Sequence, residues 1–358
     1  MSKLPFFALA CFSALAATAL ADDITHTASL GPIAVGASGT VNAPAFDPAL
    51  GVLRLVRVSV FGEVSGTWSV ENTAAHPDGV GGYASGEYVG AYLPVTLPAG
   101  FMFAPNPAFV PDPSVPLAAF DGVLDFAGPS ATSFTFANES GDGAPGQYAD
   151  VYMDAGLQAY AGTAPITIGI GPVSQIGPNV PPWFQNAVTL SAQASISVRY
   201  TYDPFPARIC RGAPFSGCPC SNATSTGTGG CGNSAGSAGG VLDAGGTASL
   251  STDTLVLAGS AMTSSSALYF QGTTVAYAQS VYGDGLRCVG GSVVRLGTKV
   301  NSAGSSQYPE AGDAPVSVRG GVTMPGPRYY QVVYRDGGSF CTPSLFNATS
   351  GMAVLWTP

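Results

Sequence analysis

The stretch V-T-L-S-A-Q-A-S-I-S-V-R-Y-T-Y (Val188–Tyr202) decides the fold of this chain. Its even positions carry apolar or aromatic side chains, and its odd positions carry Thr, Ser, Gln and Arg. Successive side chains of a strand point to opposite faces, so one face is predicted to lie on a core and the other in water. This alternation is typical of antiparallel sheets, because buried parallel strands are apolar on both faces. Since the stretch exceeds the usual strand length, we expect a bulge or a bend within it.

Two stretches nearer the N-terminus repeat the pattern. Val52–Phe61 and Val64–Val70 both alternate between apolar and polar side chains, and the Gly62-Glu63 link between them has the length of a hairpin turn. Within Val52–Phe61 the apolar positions change parity, which predicts a one-residue register change near Leu55–Val56. We therefore expect two strands joined by a hairpin at this place.

Further strand patterns recur along the whole chain, and no window has the apolar spacing of an amphipathic helix. The stretches concerned are Tyr88–Leu97, Leu117–Phe126, Ser133–Phe136, Ile166–Ile170, Ala248–Leu257, Ala267–Gln271, Ser292–Val300, Val316–Met324, Arg328–Asp336 and Met352–Thr357. In the last two, Tyr330, Val332 and Tyr334 share one face, and Val354 and Trp356 are expected in a core. The prediction is an all-β protein of two antiparallel β-sandwich or jelly-roll-like domains.

Composition supports this fold class and excludes two classes of partner. Only 9% of the residues are charged, against roughly 25% in ordinary globular proteins, while Gly (48) and Pro (29) are abundant, as expected of short strands joined by turns. The net charge is −9 and the arginines are scattered. Without a basic footprint, binding to nucleic acid is excluded and binding to anionic membranes is disfavoured.

Residues 1–21 have the pattern of a secretory signal peptide. Lys3 is the charged start, Leu4–Thr18 the apolar segment, and Ala19-Leu20-Ala21 the small-residue cleavage site. Cys11 is expected to leave with this leader. No later stretch reaches about 18 unbroken apolar residues, so no transmembrane segment is expected after cleavage. The sequence thus predicts a secreted or extracellular protein and leaves association with the cell surface open.

The mature chain divides at a cysteine-rich segment. We expect a β domain over 22–204, a Cys/Gly/Ser-rich linker over 205–239, and a C-terminal β domain over 240–358. The linker contains C-R-G-A-P-F-S-G-C-P-C-S-N-A-T-S-T-G-T-G-G-C (Cys210–Cys231), which has almost no hydrophobic bulk. It is expected to be held by disulfides because it lacks a core of its own.

In an exported protein, disulfides are favoured over a metal site for the six mature cysteines, Cys210, Cys218, Cys220, Cys231, Cys288 and Cys341. Cys218-Pro219-Cys220 is too tight for an easy mutual bond. This leaves Cys210–Cys218 with Cys220–Cys231, or Cys210–Cys220 with Cys218–Cys231. Cys288 would then pair with Cys341, which closes a loop of about 50 residues and contributes roughly 3–4 kcal/mol. A four-thiolate zinc site fits the cysteine spacing poorly.

The first half resembles a known domain family. The segments that carry the resemblance are F-D-P-A-L-G-V-L (Phe46–Leu53), G-E-V-S-G-T-W-S-V-E-N (Gly62–Asn72), F-D-G-V-L-D-F-A-G-P-S (Phe120–Ser130) and S-V-R-Y-T-Y (Ser197–Tyr202). They are similar to the bacterial choice-of-anchor E domain, over most of residues 22–204. The resemblance implies an extracellular β domain without a known active site. This chain departs from the family in carrying a cysteine-bearing module where a sorting tail often follows.

The second half carries another resemblance. The phrases concerned are L-Y-F-Q-G-T (Leu268–Thr273), G-D-G-L-R-C-V-G-G-S-V-V-R-L (Gly283–Leu296), R-Y-Y-Q-V-V-Y-R-D (Arg328–Asp336) and F-N-A-T-S-G-M-A-V-L-W-T-P (Phe346–Pro358). From about Cys210 to Pro358 the chain resembles a C-terminal module that recurs in secreted proteins of planctomycete-type bacteria. No activity is assigned to that module, so the resemblance implies no functional residue.

Two enzyme motifs in the Gly/Ser-rich segment are interpreted as accidents of composition. Gly227–Gly232 spells G-x-G-x-x-G and Gly232–Gly236 spells G-x-S-x-G. A dinucleotide site needs a strand before the glycines and a helix after them. A nucleophile elbow needs the same context and a histidine later in the chain, whereas both histidines, His26 and His76, lie upstream.

Candidate catalytic and metal-binding residues are few. His26 lies near the mature N-terminus, where frayed chain is expected, and His76 precedes a turn; both are interpreted as surface residues. Asp121 and Asp125 are the carboxylates considered for a glycosidase pair, but the alternation places them on one face of a strand, in a structural role. Asp142, Asp150 and Asp154 lie in a run of oxygen ligands, and whether they bind calcium is left open. No metal or cofactor is predicted.

The sequence favours a non-catalytic structural or adhesion protein of the extracellular space or cell surface. The alternative is a carbohydrate-binding module for extracellular or cell-wall polysaccharide, and a glycoside hydrolase is a remote third. Aromatic residues in Gly-rich surroundings would face the sugar: Tyr83, Tyr88, Tyr92, Tyr148, Tyr152 and Tyr160. Extracellular glycans and surface proteins are the partners considered.

Overall fold

The structure is a computed structural model. It describes residues 21–80, 89–98, 100–104, 108–109, 115–140, 147–152, 155–176, 180–213, 217–224, 227–338 and 342–358. Within these ranges the side chains of residues 108–109, 147–152, 155, 175 and 277–279 are outside the description. Every strand pair that the structure describes is antiparallel, which confirms the all-β fold class.

The first half consists of strands and one short helix. The strands are β1 (Asp22–Ala34), β2 (Gly39–Ala43), β3 (Gly51–Asn72), β4 (Asp78–Val80), β5 (Val89–Tyr92), β6 (Val95–Thr96), β7 (Met102–Phe103), β8 (Ala108–Phe109), β9 (Val115–Leu117), β10 (Ala131–Glu139), β11 (Gln147–Tyr152), β12 (Ile166–Ile170), β13 (Val173–Ile176) and β14 (Phe184–Pro204). The helix is α1 (Ala155–Gln158).

A long sheet in the order β1-β14-β3-β10, with β11 also on β3, organises this half. β3 and β14 pair from Gly51 opposite Pro204 to Asn72 opposite Phe184. A bulge does interrupt this pairing, but on the partner strand rather than within Val188–Tyr202: Thr201 pairs with Leu55 and Tyr202 with Leu53, so Arg54 of β3 is the extra residue. This also accounts for the parity change predicted near Leu55–Val56.

The predicted hairpin at Gly62-Glu63 is wrong. β3 is one strand of 22 residues, and Gly62 and Glu63 pair with Ala194 and Gln193 of β14. The apolar face keeps one parity from Val56 to Val70, so nothing in the packing requires the chain to reverse. The 21-residue β14 supplies a partner over that whole length.

One face of the long sheet is buried against the smaller sheets β2-β12-β6-β7 and β13-β5-β8. Val58 of β3 and Val198 of β14 belong to one apolar cluster with Val41, Ile168 and Val89 from the smaller sheets. All of these side chains are buried. Two sheets that share one core in this way form a β-sandwich.

The strand predicted over Leu117–Phe126 is also wrong. β9 ends at Leu117, and residues 118–130 form turns. The side chains of Asp121 and Asp125 each accept a hydrogen bond from the backbone N–H two residues later, and Gly122 has a positive φ of 98°. Such Asx turns compete with strand pairing. By contrast, β12 matches its predicted bounds, and Ser133–Phe136 lies within β10.

The second half has its own sheets. Its elements are β15 (Ala207–Ile209), β16 (Val241–Gly245), β17 (Val256–Ser260), β18 (Ser266–Gly272), β19 (Thr274–Tyr282), β20 (Gly285–Gly290), β21 (Val294–Val300), β22 (Ser306–Tyr308), α2 (Val316–Gly320), β23 (Gly326–Arg335), β24 (Phe346–Ala348) and β25 (Gly351–Trp356). The larger sheet has the order β15-β25-β23-β18-β21, with β24 on β23. β16-β17-β22 form a smaller sheet, and β19-β20 a hairpin.

Aromatic side chains dominate the core of the second half. Tyr330, Tyr334 and Trp356 lie in one cluster with Leu242 and Leu257 of the smaller sheet, as the shared face predicts. The Trp356 indole N–H donates to the Tyr330 hydroxyl at 2.8 Å, so the polar atoms buried in this core have partners.

Two strand predictions in this half fail. Val316–Met324 contains the helix α2. In the first turn of this helix, the Ser317 N–H donates to the Asp253 carboxylate at 2.7 Å. Because that partner lies 64 residues away, local pattern could not indicate the helix. Of Ala248–Leu257, only the last two residues belong to β17.

The disulfide pairing differs from the prediction. Cys210 is bonded to Cys288, with the Cα atoms 5.5 Å apart, and Cys218 to Cys231, at 5.7 Å. The predicted Cys288–Cys341 bond is therefore wrong, as are both pairings predicted for Cys210. Cys218–Cys231 belonged to the second alternative. Cys220 is also disulfide-bonded, and Cys341 lies outside the described residues.

Long-range strand pairing explains the Cys210–Cys288 bond. β15 adds to β25 at the edge of the larger sheet, with Ile209 opposite Gly351. The Cys210 Sγ lies 3.4 Å from the Leu286 carbonyl oxygen, so Cys210 reaches the strand β20 that carries Cys288. Spacing along the sequence does not encode this proximity.

Residues 205–239 are more than a linker. They contain β15, and Ile209, Cys210 and Cys231 are buried in a cluster with Phe270 and with Val52 of β3. Glycines make this packing possible. A Cβ on Gly230 would lie 2.4 Å from the Ala348 carbonyl oxygen, so a larger residue would displace that backbone.

Among the described residues, no helix is both long enough and apolar enough to cross a membrane.

Candidate functional site

Three loops meet at one end of the long sheet, beyond the Asn72–Phe184 pair. We call residues 72–78, 118–130 and 180–184 the loop cluster. The Thr73 N–H donates to the Trp183 carbonyl at 2.9 Å, which joins the first and third loops. The Phe120 N–H donates to the Ala74 carbonyl at 2.9 Å, which joins the second loop to the first. The three loops are thus connected by backbone hydrogen bonds.

Asn72, the last residue of β3, is a buried anchor for these loops. Its Nδ2 donates to the carbonyls of His76 and Ala118, both at 2.9 Å. Its Oδ1 accepts the Ala74 N–H at 2.9 Å. Asn72 is fully buried, and a buried amide with satisfied hydrogen bonds fixes the backbone around it.

Glu71, the neighbouring residue, anchors the second loop. Its Oε2 accepts the backbone N–H groups of Asp125 and Phe126, at 3.0 and 2.6 Å. Glu71 is fully buried, and Phe126 has a positive φ of 56°, a strained value for a residue with a side chain. A carboxylate bonded to two amides stabilises this turn.

Trp183 is the exposed feature that these anchors support. Its side chain is 39% exposed, whereas the other tryptophans, Trp68 and Trp356, are buried. The Trp183 indole N–H donates to Asp78 Oδ2 at 2.7 Å, and its carbonyl also accepts from the Thr73 hydroxyl. The ring is therefore held in one orientation while part of its surface faces water.

Asp78 and His76 lie beside the indole. The His76 ring is in edge-to-face contact with Trp183, with a centroid distance of 6.1 Å. Hydrogen bonds from the Gly79 N–H and the Trp183 indole hold the pKa of Asp78 below its ordinary value. Asp78 is thus ionised at neutral pH, and a carboxylate has about four acceptor sites, so it can accept further hydrogen bonds.

The second loop also exposes apolar side chains. Val123 is 58% exposed and Leu124 is 52% exposed. They are exposed apolar side chains of the same loop cluster that contains Trp183, Asp78 and His76. An indole face can pack against the C–H face of a sugar ring, and a carboxylate can accept hydrogen bonds from its hydroxyls.

The two histidines have different surroundings. His26 lies in β1 opposite Val198 and contacts the Tyr200 ring edge-to-face, at 5.9 Å, so the frayed terminus expected there is wrong. β1 pairs with β14 from Asp22 onwards, and Asp23 forms an ion pair with Arg199. His76 is exposed in its turn, as predicted, and lies in the loop cluster.

Asp121 and Asp125 lie in turns of the second loop rather than on a strand. One oxygen of each accepts a local backbone N–H: Asp121 from Val123 and Asp125 from Ala127, both at 2.9 Å. Their predicted structural role thus has a different physical basis, the Asx turn.

The possible calcium ligands lie outside the described part of the structure: Asp142 and Asp154 entirely, and Asp150 in its side chain. The described residues contain no group of three or more His, Cys, Asp or Glu side chains that could hold a metal ion.

The tyrosines proposed for sugar binding are not equivalent. Tyr160 is fully buried, and its burial raises its pKa to about 12, so its proposed contact with sugar is wrong. Tyr92 is 39% exposed and lies opposite Val173, itself 52% exposed. Tyr83 and Tyr88, and the side chains of Tyr148 and Tyr152, lie outside the described residues.

The G-x-S-x-G serine has a structural setting. Ser234 donates its backbone N–H and its hydroxyl to the carboxylate of the buried Asp336. Asn233 and Gly236 close a tight turn around it, so the strand–turn–helix context of a nucleophile elbow does not occur here.

Sequence reasoning missed Trp183. The residue stands in P-P-W-F (Pro181–Phe184), just before the clearest predicted strand. A tryptophan in a proline-bearing loop, rather than at an alternating strand position, is the signal that could have identified it. Asp78 and Glu71 carry no such signal, because their contacts depend on loops brought together by folding.

No protein-family model matches the chain, and no curated protein matches it. Among solved structures, the chain is similar to the infectious bursal disease virus Gx strain structure, at 10% identity and a TM-score of 0.12, over 52% of this chain and 41% of that chain. A structure of T=1 particles derived from infectious bursal virus matches at 8% identity and a TM-score of 0.13, over 51% and 36%. The match thus spans less than half of either virus chain, and scores this low carry no argument.

Proposed function

We propose that the chain is an exported, non-catalytic structural or adhesion protein that contacts its extracellular target through the loop cluster. The leader pattern of residues 1–21 and the disulfides Cys210–Cys288 and Cys218–Cys231 support export. Two proposed resemblances also support export. Residues 22–204 resemble choice-of-anchor E domains, and residues 210–358 resemble an exported bacterial module.

One observation carries this proposal: Trp183 is partly exposed yet fixed. Folding normally places an indole in the core, as it does for Trp68 and Trp356. Holding Trp183 at the surface uses the Asp78 carboxylate, the Thr73 contacts and the buried anchors Asn72 and Glu71. A preorganised aromatic side chain is typical of the centre of a binding surface, because little entropy is lost on contact.

Carbohydrate binding is the second candidate function, and the groups beside the indole favour it. Asp78 and His76 can exchange hydrogen bonds with sugar hydroxyls while the ring packs on the sugar's apolar face. The same arrangement supports binding better than hydrolysis. Asp121 and Asp125 each bond to the backbone of their own turn, and a glycosidase needs a pair of carboxylates facing the glycosidic bond.

A binding screen tests both candidates. Residues 22–358, with the disulfides formed, would be tested against extracellular polysaccharides and surface-protein extracts, alongside W183A and F101A. Phe101 is 50% exposed in the same domain and outside the loop cluster, so F101A is the matched control. We expect W183A to lose its binding to the target and F101A to keep it.

The results of this screen distinguish the candidate functions. Equal binding by the wild type and W183A would contradict the role of the loop cluster. If the wild type binds only a polysaccharide, the result supports the carbohydrate-binding function. If it binds only a surface protein, the result supports protein adhesion.

A further inference from the structure

The larger sheet of the second half leaves part of one face open. Tyr269 and Val332 point from it into the aromatic core and are fully buried. Leu268 and Val333, which lie opposite each other on β18 and β23, point to the other face. The cluster around Phe270, beneath the cysteine-rich segment, covers that face at one end. Val333 packs against the edge of this cluster and Leu268 adjoins Val333, and both are only half-buried.

Two depressions adjoin on this open face, with volumes of about 340 and 180 Å³. Leu268 and Val333 line both depressions, so they form one continuous apolar floor. The larger volume lies within the range of about 300–1,000 Å³ that is usual for ligand sites.

Aromatic side chains form one wall. Tyr282 lines the smaller depression and Phe346 the larger, and their rings meet edge-to-face at 5.0 Å. Val293 and Leu345 stand at the rims, 41% and 53% exposed. Apolar side chains thus line both depressions and leave room for apolar groups of a ligand.

The charges around the floor are all positive. Arg335 lines the larger depression, and Arg287 and Arg295 line the smaller. These are three of the ten arginines in a chain of net charge −9. None of the described lining residues is acidic, and none of the ion pairs between described residues involves these three. Arg287 is oriented by the Tyr282 ring, 5.8 Å away, and by its Nε–H bond to the Val289 carbonyl.

We propose that this arginine groove, formed by Leu268, Tyr282, Arg287, Arg295, Val333 and Arg335, binds an extended segment of a partner protein that combines apolar and acidic side chains. Alternate side chains of an extended chain lie about 6.5–7 Å apart on one face, so two apolar residues can enter the two adjoining depressions. Flanking carboxylates then meet the guanidinium groups, which bind carboxylates with directed hydrogen bonds.

The open shape favours a peptide over a lipid chain. A peptide leaves its polar backbone in water while its side chains fill the depressions, whereas an acyl chain would leave half of its apolar surface wet. The groove lies in the second half of the chain, so this inference is independent of the loop cluster.

Short synthetic peptides test the groove directly. The probe is a fluorescein-labelled Asp-Leu-Thr-Leu-Asp peptide with a blocked C-terminus, and its control is the same peptide with Lys in place of Asp. Binding to residues 22–358 would be measured by fluorescence anisotropy. We expect the acidic peptide to bind, the Lys peptide not to bind, and the affinity to fall as salt is raised.

Matched variants locate the contact. Loss of two charge contacts in R295Q/R335Q should weaken binding about ten-fold. R328Q, which changes an arginine on the same strand as Arg335 but outside both depressions, should bind like the wild type. A melting curve for each variant verifies that it is folded.

Three results would overturn the proposal: no binding of the acidic peptide to the folded wild type, equal binding of both peptides, or unchanged binding by R295Q/R335Q. W183A should bind the acidic peptide normally. A failure of the groove and a failure of the loop cluster are therefore separate results.

Discussion

The two halves of the molecule are both antiparallel β structures, yet they are stabilised differently. The first half relies on two strands of more than 20 residues whose inner faces are aliphatic, such as Val58 and Ile196. The second half has shorter strands, tyrosine hydroxyls in its core, and disulfides at Cys210–Cys288 and Cys218–Cys231. Long alternating strands bury enough apolar area by themselves, whereas the second half depends on specific bonds.

Buried polar residues show the same contrast. Among the described residues of the first half they are Glu71, Asn72 and Ser130, and the first two support the loop cluster. In the part of the second half that the structure describes they are spread through the fold: Thr224, Asn233, Ser249, Gln271, Asp284, Asn301, Ser317, Gln331, Asp336, Asn347, Thr349 and Ser350. A buried network of this kind stabilises only while all its partners are present. The second half should therefore be more sensitive to single changes.

Removal of the Cys210–Cys288 disulfide should have the largest effect. The C210S/C288S variant frees a segment of 78 residues, and the restored entropy of the unfolded chain corresponds to a loss of about 4.5 kcal/mol. We expect the second half to melt earlier while the first half melts as before, which a calorimetric scan would resolve as two transitions.

The second disulfide is the matched control for the first. Cys218–Cys231 spans 13 residues, so C218S/C231S should cost less, about 3 kcal/mol. A larger loss from the short-span bond, or an equal shift of both transitions, would contradict the proposed division of stability.

A buried glutamine offers the next test. Gln331 Nε2 donates to the carbonyls of Leu286 and Thr349, both at 2.8 Å, and its Oε1 accepts the Cys288 N–H. Q331L would leave these groups unpaired and should cost roughly 2–4 kcal/mol in urea unfolding. In the first half, I196V removes one buried methyl group and should cost about 1 kcal/mol. A larger loss from I196V than from Q331L would contradict the greater sensitivity expected of the second half.

Two glycine substitutions test the same difference between the halves. G230A places a Cβ against the Ala348 carbonyl, and we expect it to destabilise the second half by about 1–3 kcal/mol in the same unfolding measurement. G171A in the first half, where no atom lies within 4 Å of the added Cβ, should change stability by less than about 0.5 kcal/mol. Equal effects would show that the cysteine-rich segment is less tightly packed than the structure indicates.

The smallest expected effect is a pH dependence at the loop cluster. The folded pKa of Asp78 lies below its ordinary value of 3.8, so the bond to Trp183 contributes fully at neutral pH and is lost as the pH falls through the lowered pKa. Iodide quenching of Trp183 fluorescence should be constant from pH 7 to about 4.5 and rise below the ordinary Asp value. In D78N the quenching should not rise at low pH. The same rise in D78N would show that groups other than Asp78 cause it.

Much of the fold could be predicted because alternation is a local signal. β14, β12, β18, β21, β23 and β25 follow from periodicity, and even the bulge at Arg54 was indicated by the parity change. α2 and the Cys210–Cys288 bond were not predictable, because each depends on partners brought close by folding. The turns at 118–130 combine local Asx bonds with the contact of Glu71 to the Asp125 N–H, 54 residues away, which sequence pattern does not indicate. Most of the candidate site also depends on contacts formed by folding. The exceptions are His76, which was predicted to be exposed in a turn, and Trp183, whose place in Pro181–Phe184 is a local signal.

Oxidative footprinting of tryptophan tests the central claim, that the loop cluster contacts the target. With limiting N-bromosuccinimide, peptide mass spectrometry would report oxidation at Trp68, Trp183 and Trp356, with and without the polysaccharide or protein found in the binding screen. We expect Trp183 to be oxidised first in the free protein and to be protected in the complex, because it is the exposed indole. Oxidation of Trp183 at the same rate in both samples, under conditions where the target is bound, would contradict it.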